Sequence, residues 1–355
     1  MNRTIHAFLL ATILILVCVA CLNTTPEATT EPEQLTIITH DSFDVGEDVI
    51  QEFEAQFNAK INILKAGDAG EVLNKSILSK GNPLGDVLYG IDNTFLTRAL
   101  DEQIFLPYQS PALSNVPAQY HVDATHRVMP IDYGFVAINY DKKWMQEQNL
   151  TPPQNLQELA SDKWSGKLVV QNPATSSPGL AFLLTTVAHF GETGTYTYLD
   201  YWRDLKDNQT LIKNGWSDAY YGDFTLYGGD RPLVVSYTTS PAAEVFYSEG
   251  VHSEPPTGNV LGPKTAFLQI EGAGILLGTN HVELAQHFID FAMGVTFQQD
   301  FPTRMWVFPV NPEAVLDRTF AEFAEIPSNP ATLDPHVISK NRAKWIDEWA
   351  KIMLR

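Results

Sequence analysis

Twice in this sequence a short run of β-forming apolar residues ends in a burst of hydroxyl side chains and a proline. Leu233-Val234-Val235 runs into Ser236-Tyr237-Thr238-Thr239-Ser240-Pro241, and Leu168-Val169-Val170-Gln171 runs into Asn172-Pro173-Ala174-Thr175-Ser176-Ser177-Pro178-Gly179. Such a run, bounded by breakers, reads as a buried strand. Proline suits the first turn of a helix, and serine caps it well. Each segment therefore reads strand, polar turn, helix. Open α/β sheets bind ligands at the carboxyl ends of their strands. Tyr237 and its neighbouring hydroxyls thus have a place where two strand ends can face one cleft.

The rest of the chain repeats this alternation. Strands are predicted over 35–39, 61–64 and 86–90, with helices over 49–57, 72–78 and 93–100 between and after them. That β-α-β-α-β order argues a largely parallel sheet with helices on its faces. A strand over 134–139 follows, then a short helix over 156–160. A second alternation opens at 168–171, with helices over 180–190 and 196–207, the strand at Val234 and a helix over 242–247. Extended structure resumes over 267–270 and continues over 273–277. Helices are predicted over 282–293, from Gln298 onward and over 344–354. The expected architecture is two α/β lobes: 35–139 with part of 265–320, and 140–264, followed by a C-terminal helical segment, 321–355. The chain would cross between lobes near 137–141 and again within 259–271, making a hinge that shuts a cleft on a ligand.

The amino end carries a different message. A short positive start, an apolar stretch over 7–20 and small residues before a cysteine are the parts of a secretory signal. Cys18-Val19-Ala20-Cys21 resembles a bacterial lipobox, with Cys18 where leucine is usual. The expectation is a lipoprotein-type signal over 1–20, with Cys21 lipidated and the protein tethered at a membrane surface. A plain signal peptide or an uncleaved anchor are the alternatives. Residues 21–34 carry two prolines, no aromatic residue and no periodicity, and read as a flexible linker. Cys18 and Cys21 are the two cysteines, so the folded body has no disulfide and no cysteine metal site. A formal net charge of −19 disfavours nucleic acid and anionic lipid.

No catalytic signature is present: no phosphate-binding loop with lysine, no metalloprotease helix and no Gly-x-Ser-x-Gly elbow. The nine histidines are scattered, and Asp132 and Asp141 form no evident acid/base pair. Aromatic residues instead fall at loops and strand ends, in Gly215-Trp216-Ser217-Asp218-Ala219-Tyr220-Tyr221-Gly222 and in Met305-Trp306-Val307-Phe308-Pro309-Val310. Trp and Tyr faces hold cations through the ring quadrupole and stack on flat heterocycles. Trp216, between glycine and Ser-Asp, fits a site; Trp306, flanked by apolar residues, fits core and site equally.

Taken together, several segments resemble the thiamine-binding periplasmic proteins of ABC importers. They are Thr39-His40-Asp41-Ser42-Phe43, Gly90-Ile91-Asp92-Asn93, Pro130-Ile131-Asp132-Tyr133-Gly134, the two strand ends already quoted, Gly215 to Tyr220, Phe301-Pro302-Thr303 with Trp306, and Arg342-Ala343-Lys344-Trp345-Ile346-Asp347-Glu348-Trp349. The resemblance covers nearly all of the chain from Leu35 onward. It implies a two-lobed type II periplasmic-binding-protein fold, each lobe a mainly parallel sheet flanked by helices, with the ligand shut between the lobes. It also implies contacts. Asp68-Ala69 stand where the family has Asp-Gly at the cleft. Ser176 and Ser177 match a Ser-Thr pair that meets the phosphate side of thiamine phosphates. Trp216 and the run Tyr237, Thr238, Thr239, Ser240 match binding positions, and Trp306 matches an aromatic that stacks on the ligand. Asp41, Tyr220 and Tyr247 are additional candidates.

There are departures from the family pattern. Ala243 stands where a stacking tyrosine is expected, so Phe246 or Tyr247, about one helical turn on, are its candidate replacements. Val45-Gly46 replace a tryptophan near the first strand, and a cysteine pair near Asn58 is absent. The implied function is capture of thiamine or a thiamine phosphate for an ABC permease and its ATPase, by a monomer that is not an enzyme and needs no cofactor or metal. The alternatives within the same fold are a ferric-ion receptor using the adjacent Tyr220 and Tyr221, and a receptor for polyamines or aminophosphonates.

Overall fold

The structure is a computed structural model that describes residues 31–355; the predicted signal segment 1–20, Cys21 and the predicted linker as far as 30 lie outside the described residues. The body Gln34–Arg355 begins with alternating elements: β1 (Glu33–Thr39), α1 (Glu47–Phe57), β2 (Ala59–Lys65), α2 (Ala69–Leu78), β3 (Val87–Asp92), α3 (Leu96–Asp101) and β4 (Phe105–Leu106). The long β5 (Met129–Asp141) leads to α4 (Lys142–Glu147) and α5 (Leu156–Leu159). Then come β6 (Leu168–Gln171), α6 (Ser177–Phe190), α7 (Tyr198–Asp207), β7 (Leu211–Lys213), β8 (Leu233–Tyr237) and α8 (Ser240–Tyr247). The chain returns through β9 (Thr257–Val260) and β10 (Phe267–Leu276). It ends with α9 (Val282–Ala292), α10 (Val295–Asp300), β11 (Phe308–Pro309), α11 (Arg318–Phe323) and α12 (Pro335–Met353).

One curled sheet runs in the order β2-β1-β3-β10-β5-β8-β6-β7, with β4 beside β10 and with β9 and β11 beside β5. The parallel pairs lie away from the centre, β1 with β3 on one side and β6 with β7 and β8 on the other. The centre is antiparallel: β10 runs against both β3 and β5, and β5 against β8. The sheet is therefore mixed rather than largely parallel, because the strands that carry the chain between halves run against those they join. β5 changes partners at Val136, which is paired with Phe267 of β10 and with Tyr237 of β8. Residues before it belong to the first half of the sheet and residues after it to the second.

Three expectations shift, two of them helical. The helix predicted from Gln298 onward is α10, which ends at Asp300; Pro302 follows in a short 3₁₀ turn, because proline cannot continue a helix interior. The C-terminal helix starts at Pro335, not near 344: Asp334 caps it, accepting from His336 N at 2.8 Å, and proline takes its first turn. The extended segments predicted over 267–270 and 273–277 are one strand with a register shift at Gly272.

Apolar layers cover both faces. In the first half, Phe53 of α1 meets Phe288 of α9 edge-on at 5.7 Å over buried Leu35, Ile37 and Val87. In the second, Trp202 of α7 meets Trp349 of α12 edge-on at 5.8 Å. α12 also holds Arg342 over the Phe95 ring, 5.6 Å from its centroid, so one helix packs on both halves behind the sheet. Among the described residues no helix is long and apolar enough to cross a membrane.

Candidate ligand-binding site

The carboxyl ends of β1, β2 and β8 open on a cleft of about 280 Å³. Its first-half wall carries the charge. Asp68 caps α2, accepting from Ala69 N at 2.7 Å through Oδ1 and from Trp216 N at 3.0 Å through Oδ2. The second bond crosses between the halves, and Gly70 N donates to Thr175 O at 2.9 Å beside it. A Cβ on Gly70 would stand 2.7 Å from that carbonyl, so the approach requires glycine. Burial pushes the Asp68 carboxyl above its usual range, against the two N–H donors that favour the ion. Asp41 also lines the cleft and accepts from Gly67 N at 3.1 Å.

His40 lies against Gly90, which has φ +95° and leaves the space a Cβ would fill. Its Nε2 is 3.5 Å from Glu271 Oε2. Burial alone would lower the imidazole pKa, but Glu271, with Asp68 and Asp41 beyond it, outweighs burial and raises it.

Beneath this wall three acids lie side by side on three strands. Glu271 of β10 is paired in register with Asp92 of β3 and with Asp132 of β5, and all three are buried. Asp92 accepts from Thr94 N at 2.6 Å and from Ser177 Oγ, the latter donating from the second half. Burial pushes Asp92 up to about 6, and Ser177 and Thr94 restrain the rise. Asp132 accepts from Tyr89 OH at 2.7 Å and is pushed far above the usual range by burial and by Glu271. Neighbouring carboxylates in a low dielectric do not all ionise together.

The second-half wall carries rings and hydroxyls, most of them bonded to each other. Trp216 stacks on Tyr220 at 4.8 Å with 19° between planes, and its Nε1 donates to Ser236 Oγ at 2.8 Å. Ser236 Oγ and Ser240 Oγ share a hydrogen bond of 2.9 Å. Tyr220 sits in a π-helical turn, Asp218–Asp223, and donates to Glu244. Such turns recur at functional sites. Tyr237, at the end of β8, donates to Gln269 Oε1 at 3.1 Å.

Trp306 closes the far side. Its φ is +59°, an unusual conformation for a bulky residue, and Thr239 Oγ1 donates to its carbonyl. Its ring stacks on Phe320 at 5.8 Å, with Phe246 and Tyr247 edge-on at 5.3 and 5.7 Å. Ala243 lines the cleft without a ring; Tyr247 lines it too, anchored by its hydroxyl to Thr303 O at 3.1 Å.

Asp41, Asp68, Ala69, Ser177, Trp216, Tyr220, Tyr237, Thr239, Ser240, Tyr247 and Trp306 thus share one cleft. Ser176 and Thr238 are completely buried behind its surface: the Ser176 hydroxyl interacts with Asp68, and Thr238 N donates to Phe135 O at 2.9 Å. Cys21 lies outside the described residues. The Tyr220 hydroxyl is engaged by Glu244 and half-exposed Tyr221 stands perpendicular to it, so the adjacent tyrosines do not present a converging phenolate pair. Among the described residues no group of three or more His, Cys, Asp or Glu is placed to hold a metal ion. Sequence reasoning passed over Glu244, Glu271 and Tyr227, which also line the cleft. Glu271 could be found only through register, and Glu244 looks like any acid in a helix.

Residues 82–352 match the model of a family described as bacterial extracellular solute-binding protein. The chain is 31% identical over 329 residues to the thiamine-binding periplasmic protein of Escherichia coli K12, covering 90% of this chain and 94% of that one. It is 31% identical to the thiamine-binding periplasmic protein of Brucella abortus, covering 89% and 91%. A solved structure titled periplasmic thiamin binding protein superposes with a TM-score of 0.80 at 30% identity, covering 91% of this chain and 97% of that one. The ferric binding protein from Campylobacter jejuni shares the fold, with a TM-score of 0.72 at 18% identity. The fold is the two-lobed type II periplasmic-binding-protein fold, the two halves of the sheet being its lobes.

Proposed function

Because the chain belongs to the bacterial extracellular solute-binding proteins, we propose that its cleft captures thiamine or a thiamine phosphate outside the cytoplasm for an ABC permease and its ATPase. The observation that carries this reading is the union of Asp68 and Glu271 with the faces of Trp216, Tyr237 and Trp306 in one cleft. Thiamine is a flat, permanently charged thiazolium joined to a second flat ring. Carboxylates offset such a charge, and ring faces hold it by stacking and cation–π attraction. The Trp216–Asp68 bond between the lobes acts as a latch, and closure on the ligand excludes water and strengthens each contact. A phosphate would meet the first turn of α6 at Ser177, where the helix start favours an anion, although Pro178 beside it offers no N–H.

On this reading the lobes comprise 35–139 with part of 265–320, and 140–264, and 321–355 braces them. The protein binds and releases without turnover, works as a monomer, and is held at the membrane by lipid on Cys21. No nucleic acid is a partner of so acidic a chain. Calorimetry with thiamine, its monophosphate and its diphosphate tests the reading, with ferric ion and spermidine as rival ligands. One-site binding of thiamine at micromolar concentration or tighter supports it. Absence of heat with all three thiamine forms, or a visible charge-transfer band with iron, refutes it.

A further inference from the structure

Glu244 sits in the second turn of α8, lines the cleft and is 7% exposed. Both carboxylate oxygens receive hydroxyl donors: Oε1 from Tyr220, and Oε2 from Thr257 at 2.7 Å. Hydroxyl donors stabilise an ionised carboxylate but do not neutralise it. Among the described residues Glu244 makes no ion pair. Lys142, the cation that acts on it, donates its ammonium to Pro255 O at 2.9 Å instead. A buried carboxylate without a counter-charge is costly, and a cation entering the cleft relieves that cost.

We propose that Glu244 is a specificity-determining residue of this cleft, which selects a positively charged ring over an uncharged ring of the same shape. The inference rests on the thiamine reading of the site and names the charge that the second lobe contributes to it. Glu244 acts in two ways. It lines the cleft beside Ala243, whose methyl group leaves that stretch of wall open, so its charge acts on the ligand at short range. It also fixes Tyr220, on which Trp216 stacks. Asp68 holds the backbone of Trp216 from the first lobe while Glu244 holds the underside of its ring from the second.

The groups around Glu244 are Tyr220 and Tyr221 from the π-helical turn, Tyr227 from the turn after it, and Asp141 and Lys142 where β5 meets α4. On its other side α8 meets α11 through Phe320, packed with Ala242 and Ala243. Burial pushes the Glu244 carboxyl up to about 7, with Tyr220 and Thr257 restraining the rise. A cation binds the ionised form better, so its affinity climbs as pH rises through that value and levels off above it.

The test uses thiamine and its uncharged thiophene isostere, titrated into the wild type, Glu244→Gln and Tyr220→Phe. Titrations run from about pH 6 to about pH 8.5, bracketing the Glu244 transition. For Glu244→Gln the expected loss is about tenfold for thiamine and no more than about twofold for the isostere, and the rise near neutral pH shrinks to the part that His40 of the opposite wall contributes. Tyr220→Phe keeps the ring, removes one donor and moves the rise to higher pH. Equal losses for both ligands in Glu244→Gln, or an unchanged pH profile, overturn the inference. A wild type that does not bind thiamine overturns the reading beneath it as well, whereas binding that is insensitive to Glu244→Gln overturns this inference alone.

Discussion

The two walls of the cleft are built from different chemistry. The first lobe presents His40, Asp41, Asp68 and Glu271, backed by the buried row of Asp92 and Asp132. The second presents Trp216, Tyr237, Thr239 and Ser240, held in a hydrogen-bonded and stacked network, with the acid Glu244 beside them. On the thiamine reading the first wall supplies most of the charge and the second most of the ring surface, with Glu244 adding a charge to the ring wall. The difference also sets rigidity. The rings of the second lobe are locked before any ligand arrives, which lowers the entropy cost of binding. Of the first lobe's acids Asp41 is exposed, Asp68 part-buried and Glu271 buried, so a cation gains most from the last two.

The largest expected effect removes charge from the first wall. Asp68→Asn keeps the cap on α2 but loses the anion and the acceptor for Trp216 N, and thiamine affinity should fall about a hundredfold by calorimetry. Next comes the ring wall. Trp216→Ala should cost about thirtyfold, and Trp216→Phe about threefold, in the same titration.

A third expectation concerns pH and folding stability, with no ligand present. The folded pKa of Asp92, about 6, lies above the ordinary carboxyl value near 4, so the folded state holds that proton more tightly. Stability therefore rises as pH falls through 6, by roughly 1–2 kcal/mol between about pH 7.5 and about pH 5. Glu244, at about 7, adds the same sign. The raised pKa of His40 does so too, its contribution being present at low pH and lost as pH rises past its folded value. Chemical denaturation across this range checks the direction, and Asp92→Asn should flatten the curve.

The smallest effect sharpens the boundary between the walls. Ser177 is a candidate ligand residue whose hydroxyl bonds Asp92 across the lobes. Ser177→Ala should change thiamine affinity by less than about threefold while lowering stability by about 1 kcal/mol, measured by calorimetry and by urea unfolding.

What could be read from the sequence follows from which signals are local. The run into Tyr237 and the helix opening at Ser240 are written in consecutive residues, as are β6 and the start of α6 at Ser177. Most cleft residues sit at such strand ends or helix starts. The acid row is not local: Glu271 meets Asp92 and Asp132 only through the register of strands far apart in the chain. Ser176 and Thr238 show the limit within a motif. Adjacent hydroxyls on an extended segment point to opposite sides, so a hydroxyl-rich run cannot all face one cleft. The antiparallel centre of the sheet was equally out of reach, since the direction in which β5 and β10 meet their neighbours depends on the return path of the chain. The Asp334-Pro335 start of α12 was legible as a cap, and a search for apolar spacing alone passed over it.

The most direct measurement of the central claim is a crystal structure with thiamine bound. The account predicts the ligand between the lobes, its thiazolium within contact of the Asp68, Glu271 or Glu244 carboxylate and a ring stacked on Trp216, Tyr237 or Trp306. Thiamine found outside this cleft, or lying within it with its charged ring turned away from all three carboxylates, would contradict the account.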